Sequence, residues 1–561
     1  MKKKHTVLFT VFLLFGLILA GSTGVRALRP DEPIQKLFMA EQAIAQLYVD
    51  TVNETKLVED AIRGMLEKLD PHSSYSTPQE TRELNEPLQG NFSGIGITFN
   101  MIKDTLYVIQ TVNGGPSERV GLLPGDRIIA VNDTLIAGVK MLNSDIMKRL
   151  RGPKGTDVDI KVLRYEGNRP DTVFFTITRA DIPINSVDAA YMVDAHTGYI
   201  RLNKFAAETA KEVRDALKRL KKQGMDRLIL DLTENGGGYL QAAVEMMGEF
   251  LTPGETVVYT EGSRSPRMDM TARPEAFRNP MMPDGRLVVM VNQYSASASE
   301  ITSGAVQDHD RGVVVGRRTF GKGLVQRPLP LPDGSMIRLT VAHYYTPTGR
   351  DIQKPYEKGD EEAYRRDIED RWNHGELMHE DSIRRNDSTI YRTLRLGREV
   401  YGGGGITPDV FVPLDTTEYT RYYRDVMAKG LINRYVISYV DSHRKQIRKA
   451  YKDDDAFVRD FEVTPAMLQD LYDLATAEGV AYDGEQAERS TPLFSMVIKG
   501  LIGRDIYDNA TYFKVYNRHD PIFTKAYHII NSQDYTTILS PAATSGSDAE
   551  TRDENRDETT E

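Results

Sequence analysis

Arg227-Leu228-Ile229-Leu230-Asp231-Leu232-Thr233-Glu234-Asn235-Gly236-Gly237-Gly238 reads as a buried β-strand that runs out into three consecutive glycines. A short unbroken apolar run bounded by glycine is the pattern of a strand covered on both faces. Its surroundings decide the fold. Gly198 to Leu202 reads as a strand, Ala207 to Lys222 as a basic amphipathic helix, Tyr239 to Phe250 as a helix, Leu287 to Val291 as a strand, Ala298 to Gln307 as a helix and Gly312 to Val315 as a strand. This β-α-β order predicts an α/β core built on a largely parallel, largely buried sheet with helical cover. Ligands in such sheets bind where loops leave the carboxyl ends of the strands.

Two stretches at those ends carry more small and polar residues than packing requires. Gly236, Gly237 and Gly238 leave backbone N–H groups unobstructed, as an oxyanion or phosphate site needs, although a plain strand-to-helix turn would use the same glycines. The second stretch is Asn292-Gln293-Tyr294-Ser295-Ala296-Ser297-Ala298-Ser299-Glu300, followed by Gly316-Arg317-Arg318-Thr319-Phe320-Gly321-Lys322-Gly323-Leu324-Val325-Gln326. Serine alternating with alanine is an ordinary helix start; functionally, one serine would be a nucleophile at a helix N-terminus. Such a nucleophile requires a base. His309 is the only histidine close by, and Asp308, Asp310 and Arg311 around it suit a solvated face. Lys322, between glycines, is the better candidate, provided that desolvation or a neighbouring cation lowers its pKa. Gln326, four residues on, returns to the same side and could orient the amine without adding negative charge.

Rival motifs fail on particular residues. Gly316-x-x-x-x-Gly321-Lys322 matches a P-loop up to its lysine, but Gly323 stands where the loop needs Ser or Thr for the metal. His374-Gly375-Glu376-Leu377-Met378-His379 has its histidines five apart rather than the four of a zinc helix, and belongs on the surface. Among 561 residues there is no cysteine, which excludes disulfides, thiolate metal sites and a thiol nucleophile. The net charge of -10 argues against nucleic acid as a partner, and half of it falls in the last 21 residues, where seven acids face two arginines.

Working outward, Gly90 to Ile177 switches to short β runs (Gly94 to Thr98, Thr105 to Ile109, Arg127 to Val131, Asp157 to Leu163, Val173 to Thr178) with one helix at Ser144 to Leu150, a module of about 90 residues. Upstream, Pro33 to Leu69 has the spacing of two amphipathic helices. Lys2, Lys3 and Lys4 before the apolar run Val7 to Ala20 have the layout of an export signal, cleaved after Ser22 or Ala27; an uncleaved segment would instead anchor the chain to the membrane. Either way the body lies outside the cytoplasmic membrane, in the periplasm or cell envelope. Glu357 to Arg398 reads as a polar insertion, Thr416 to Ile538 as mostly helical and rich in tyrosine, and the tail after Pro541 as disordered.

In order, Leu69-Asp70-Pro71-His72-Ser73, Gly94-Ile95-Gly96-Ile97, Pro124-Gly125-Asp126, Arg151-Gly152-Pro153-Lys154-Gly155-Thr156, Asp231 with its glycines, Ser295 to Glu300, Thr319-Phe320-Gly321-Lys322-Gly323, Tyr345-Thr346-Pro347-Thr348-Gly349-Arg350 and Gly405-Ile406-Thr407-Pro408-Asp409 resemble the carboxy-terminal processing proteases, serine peptidases of the tail-specific protease family. The similarity covers most of residues 33 to 413. It implies a multidomain α/β protein with a protease core of the crotonase-like sandwich type, an inserted β-rich PDZ domain, and helical amino- and carboxy-terminal regions. The corresponding division is a signal peptide (1–27), an N-terminal helical region (33–85), the PDZ domain (86–179), the protease core (180–413, with 357–403 inserted), a C-terminal helical region (414–540) outside the common core, and an acidic tail (541–561).

The resemblance further implies that Ser297 is the nucleophile, Lys322 its general base and Gln326 the family's glutamine. The oxyanion hole would use the amides of Ala298 and Gly237, with Gly236 open as an alternative because three glycines stand where many relatives have two. The Gly94 to Ile97 loop would capture the terminal carboxylate of a peptide added to the PDZ sheet edge, unless the module only packs against the core. The expected activity is acyl-enzyme endopeptidase chemistry on protein or peptide substrates with free carboxyl termini, needing no metal or organic cofactor. A catalytically silent PDZ adaptor of the cell envelope is the alternative from another class; Ser297, Lys322 and Gln326 together argue against it, since an adaptor has no use for a neutral lysine.

Overall fold

The computed structural model describes residues 32–541 except 113, 167–168, 274–278 and 385–388; the expected signal peptide and the tail after Pro541 fall outside the described residues. The chain divides into two units, before and after Leu69. In the first, the two expected helices span Glu32–Leu47 and Glu54–Leu66, the latter capped by the Asn53 side chain, which accepts from Lys56 N. Ile34, Leu37, Phe38 and Met39 of the first helix are exposed.

The second unit is organised by a six-stranded sheet in the order Val187–Met192, Thr197–Leu202, Arg227–Asp231, Arg286–Val291, Val313–Gly316, Val410–Phe411. The first pairing is antiparallel and the other four are parallel. Because side chains alternate along a strand, two cores share one sheet. Leu228, Leu230, Leu287, Val289 and Val314 face the helices Thr209–Lys222, Leu240–Met247 and Ala298–Asp308. Ile229, Val288, Met290, Val313 and Val315 pack against Phe513, Ile522, Phe523 and Ile529. Those last residues come from the helices Asn509–Tyr516 and Pro521–Asn531, so the end of the expected C-terminal region supplies the second cover of this six-stranded sheet. It is part of the core and not an appendage to it. Residues 421–506 form helices around a separate core that includes Tyr422, Phe457, Leu471 and Phe494.

A second, five-stranded sheet is wholly antiparallel. Met336–Tyr345 is its spine, pairing with Ser74–Ser76, Thr256–Gly262 and Leu324–Pro330, and Ser265–Thr271 completes it. The 90-residue module is β-rich as expected, with the sheet Ile97–Ile102, Thr105–Thr111, Arg127–Val131, Asp157–Glu166, Arg169–Thr178 and the helix Asn143–Leu150. The expected single strand from Gly94 to Thr98 is broken. Asn91–Gly94 pairs with Ala180–Pro183, and a new strand starts at Ile97, because Gly96 turns the chain at φ +74°. Arg127 of this module forms an ion pair with Asp441 of the helical region at 3.1 Å.

Candidate active site

Asp231 ends its strand by accepting from the Tyr199 hydroxyl and Arg201, each at 2.5 Å, and from Thr233 N at 2.8 Å. The chain then turns through Asn235, whose buried side chain donates to Leu202 O at 3.0 Å while its carbonyl accepts from Ala296 N (3.0 Å) and Ser299 Oγ (2.8 Å). The glycine loop is thereby fastened to the serine segment. Two of the three glycines are dictated by close approach. A Cβ on Gly237 would stand 2.7 Å from Ala296 O and 2.8 Å from Ser297 Cβ, and one on Gly238 would stand 2.1 Å from Phe205 O; Gly236 faces open space.

Long-range bonds separate the three serines. Ser295 Oγ donates to Leu232 O at 2.7 Å and Ser299 Oγ to Asn235 O at 2.8 Å, and both residues are fully buried. Ser297 is half-buried on the wall of a cleft of about 820 Å³, and its hydroxyl donates no hydrogen bond among the described residues. Its backbone is left-handed, φ +56° and ψ -112°, a conformation that costs a non-glycine residue about 1–3 kcal/mol and persists only where its surroundings hold it.

Glu300 does the holding. This fully buried carboxylate accepts from Ser297 N at 2.7 Å and Lys322 N at 2.9 Å on one oxygen, and from Gly321 N and Thr319 Oγ1, both at 2.6 Å, on the other. One side chain therefore sets the backbone of the serine against that of the lysine. Burial pushes the Glu300 pKa up, opposed by these four donors. Lys322 lines the same cleft, and its amine has no hydrogen bond among the described residues. Desolvation lowers its pKa, helped by Arg338 and opposed by Glu300 and Asp70. The cleft thus holds a serine hydroxyl and an amine whose pKa burial lowers, the two kinds of group that proton transfer to a base would use.

Asp70 is the anchor of its motif. It accepts from His72 N, Ser73 N and Thr340 Oγ1 at 2.9, 3.0 and 2.8 Å. His72 bonds to Tyr364 Oη at 2.8 Å, and burial followed by the nearby Lys322 pushes its pKa down to about 4. Tyr364 belongs to the inserted helix Glu361–Asn373, so the insertion reaches the lysine loop. Arg371 of that helix donates to Thr319 O and Arg318 O at 3.0 and 2.7 Å, and Arg318 and Arg371 share the buried Glu376.

Four sequence readings change here. Gln326 lines the cleft, but it makes no hydrogen bond to the lysine among the described residues; its amide donates back to Leu324 O, two residues away on its own strand, at 3.2 Å. The Gly237 N–H is occupied by Asn235 Oδ1 at 2.9 Å, whereas the amides of Gly236 and Ala298 have no acceptor among the described residues. His309 and its charged neighbours are buried rather than solvated: Asp308 is paired with Arg350, Asp310 with Arg398, and Arg311 donates to the carbonyls of Phe250, Gly285 and Met282. Glu376 is likewise buried, although His374 and His379 are exposed. Among the described residues no cluster of three His, Asp or Glu is placed to hold a metal. Neither Glu300 nor Arg338 is marked as functional by residue type alone; a glutamate three residues into a helix is a capping signal, but its reach to Lys322 is set by the fold.

In the 90-residue module, the N–H groups of Ile95 and Gly96 have no acceptor among the described residues, and Ile95 O is held by Ser117 N and Oγ at 3.1 and 2.6 Å. The strand after this loop, Ile97–Ile102, is an edge of its sheet.

Residues 196–362 match the family described as Peptidase family S41, residues 93–174 a PDZ domain, residues 21–81 the activating protease CtpB N-terminal domain, and residues 422–508 a family of unknown function. The chain is 34% identical over 310 residues to a carboxy-terminal-processing protease of Bartonella bacilliformis, covering 54% of this chain and 69% of that protein. It is 40% identical over 301 residues to a carboxyl-terminal-processing protease of Synechocystis sp., covering 52% and 68%. Among solved structures, the photosystem II D1 C-terminal processing protease is similar at 32% identity and a TM-score of 0.32, covering 57% of this chain and 90% of that one.

Proposed function

Since the chain belongs to the carboxy-terminal processing proteases of peptidase family S41, we propose that it is an exported serine endopeptidase with a Ser297–Lys322 dyad, acting in the cell envelope on proteins presented by their free carboxyl termini. Neutral Lys322 takes the proton of Ser297 Oγ as that oxygen attacks the scissile carbonyl. The resulting ammonium protonates the leaving amine, and water, deprotonated by the lysine, resolves the acyl-enzyme. The N–H of Ala298, at the helix start, stabilises the oxyanion. Its companion is Gly236, already free, or Gly237 once it leaves Asn235 Oδ1; removing one such donor costs about 2.7–4 kcal/mol. The PDZ module receives the substrate terminus, with the Ile95 and Gly96 amides taking the carboxylate and the Ile97–Ile102 edge taking the extended peptide. Export rests on the basic and apolar amino-terminal segment.

The observation that carries this reading is Glu300, whose single carboxylate binds the backbones of both Ser297 and Lys322. The test is cleavage of an unstructured peptide with a free or an amidated carboxyl terminus by wild type, Ser297→Ala and Lys322→Ala. Both variants are expected to be inactive and amidation to slow the wild type. Undiminished cleavage by either variant overturns the dyad; indifference to amidation overturns capture of the terminus alone.

A further inference from the structure

The cleft has a wall made by two paired strands. In the register of Leu324–Pro330 with Met336–Tyr345, Pro328 stands opposite Arg338 and Gln326 opposite Thr340. Gln326, Pro328, Met336 and Arg338 all face the cleft that holds Ser297 and Lys322, as residues two apart on a strand must when one of them does. Three of these four are uncharged.

Arg338 differs from the other arginines around the site. Arg318, Arg350 and Arg371 are each paired with a buried carboxylate. The Arg338 guanidinium, half-buried, has neither a hydrogen bond nor an ion pair among the described residues. Glu245, the one carboxylate among the described lining residues, accepts from Gln241 at 2.9 Å. A guanidinium presents five donors in a planar fork that matches a carboxylate, and leaving it partly desolvated without an acceptor is costly. Substrate is the component that can supply the acceptor.

We propose that Arg338 is a specificity-determining residue that binds a carboxylate of the substrate close to the scissile bond, provided by an acidic side chain or by the carboxyl terminus of a short product-like peptide. The inference rests on the protease reading above. Its cation also helps to hold the Lys322 amine below its usual range, which places it within electrostatic reach of the reacting atoms.

The experiment measures kcat/KM for a peptide series carrying Asp, Asn or Lys in turn at each position within about four residues of the cleaved bond. Each peptide has a free or amidated terminus, and the enzymes are wild type, Arg338→Lys, Arg338→Gln and Arg338→Glu. Wild type is expected to favour Asp over Asn about tenfold at one or two positions, the scale of a charge-assisted bond in a half-exposed site. Arg338→Lys keeps part of that preference, Arg338→Gln abolishes it, and Arg338→Glu turns it toward Lys, an inversion that a merely structural arginine would not produce. A preference that follows the free terminus and disappears in Arg338→Gln assigns the carboxylate to the terminus. An Asp-to-Asn ratio near one in wild type, or one that no variant alters, overturns the proposal while leaving the protease reading intact. So does a terminus effect that survives Arg338→Gln with no side-chain preference. If wild type cleaves none of the peptides, the protease reading fails and this inference fails with it.

Discussion

Replacing Glu300 by glutamine tests the site where its two halves meet. The carboxylate receives four donors, Ser297 N and Lys322 N on one oxygen, Gly321 N and Thr319 Oγ1 on the other, at 2.6–2.9 Å. Glutamine has one acceptor oxygen and an NH2 group that must face two of those donors whichever way the amide turns. Two charge-assisted bonds are lost, at about 1.5–3 kcal/mol each, so about 3–6 kcal/mol is withdrawn from the fold and from the alignment of serine and lysine. A second effect has the opposite sign. The Glu300 charge raises the pKa of Lys322, so removing it favours the neutral, active amine and moves the acid limb of the pH–rate profile down. Misalignment should prevail, because a displacement of about 1 Å costs about a hundredfold in rate, whereas the gain in neutral lysine stops once the amine is fully deprotonated. The expected variant has kcat reduced about a hundredfold or more, KM within a few-fold of wild type, a lower Tm and an acid limb displaced to lower pH. Peptide cleavage from pH 5 to 10, with thermal melts alongside, reads all four. A Glu300→Gln enzyme with wild-type kcat and wild-type Tm would refute the claim that this carboxylate holds the site together.

Four more outcomes follow from the same geometry. Gly237→Ala should lower kcat about a hundredfold or more, because its Cβ meets Ala296 O at 2.7 Å and Ser297 Cβ at 2.8 Å, while Gly236→Ala, with nothing within 4 Å, should stay within about threefold; steady-state kinetics of the pair decides it. For wild type, kcat/KM should rise with pH along a limb whose midpoint lies below the usual lysine value of 10.5, since the neutral amine is the base, and Arg338→Gln should move that midpoint up. His72 is held down to about 4 from 6.5, so its contribution to stability is full above about pH 6.5 and is lost as pH falls through about 4, up to about 3 kcal/mol; the Tm difference between pH 7 and pH 5 should shrink in His72→Gln. Ending the chain after Asp508 removes Phe513, Ile522, Phe523 and Ile529 from the sheet face bearing Ile229, Val288, Met290 and Val315, so the product should aggregate on size-exclusion chromatography, and a soluble, active one would separate those helices from the core.

The strands that present the site were legible because they are buried on both faces and read as unbroken apolar runs, Leu228-Ile229-Leu230 and Leu287 to Val291. The antiparallel sheet was hidden for the converse reason. Leu324–Pro330 contains Pro328 and Pro330, which rule out a central strand but are accommodated at the sheet edge this segment occupies, and most of Ser265–Thr271 is exposed. Charge misled in the same way: Asp308 and Asp310 look solvated until Arg350 and Arg398, 42 and 88 residues away, are brought beside them. In each case the missing information is the distant partner of a polar group. That also explains why the three serines looked alike in the sequence and differ in the fold. Ser295 and Ser299 have found backbone carbonyls from the glycine-loop segment, Leu232 O and Asn235 O. Inside a network that satisfies almost every neighbouring donor, the Ser297 hydroxyl, the Lys322 amine and the amides of Gly236 and Ala298 have no acceptor among the described residues. Ala298 is buried and Ser297 and Lys322 are half-buried, whereas Gly236 is exposed to water; a ligand that enters the cleft can take up the bonds that the buried groups lack. On the function proposed above, a peptide carbonyl and its scissile nitrogen would supply the matching set.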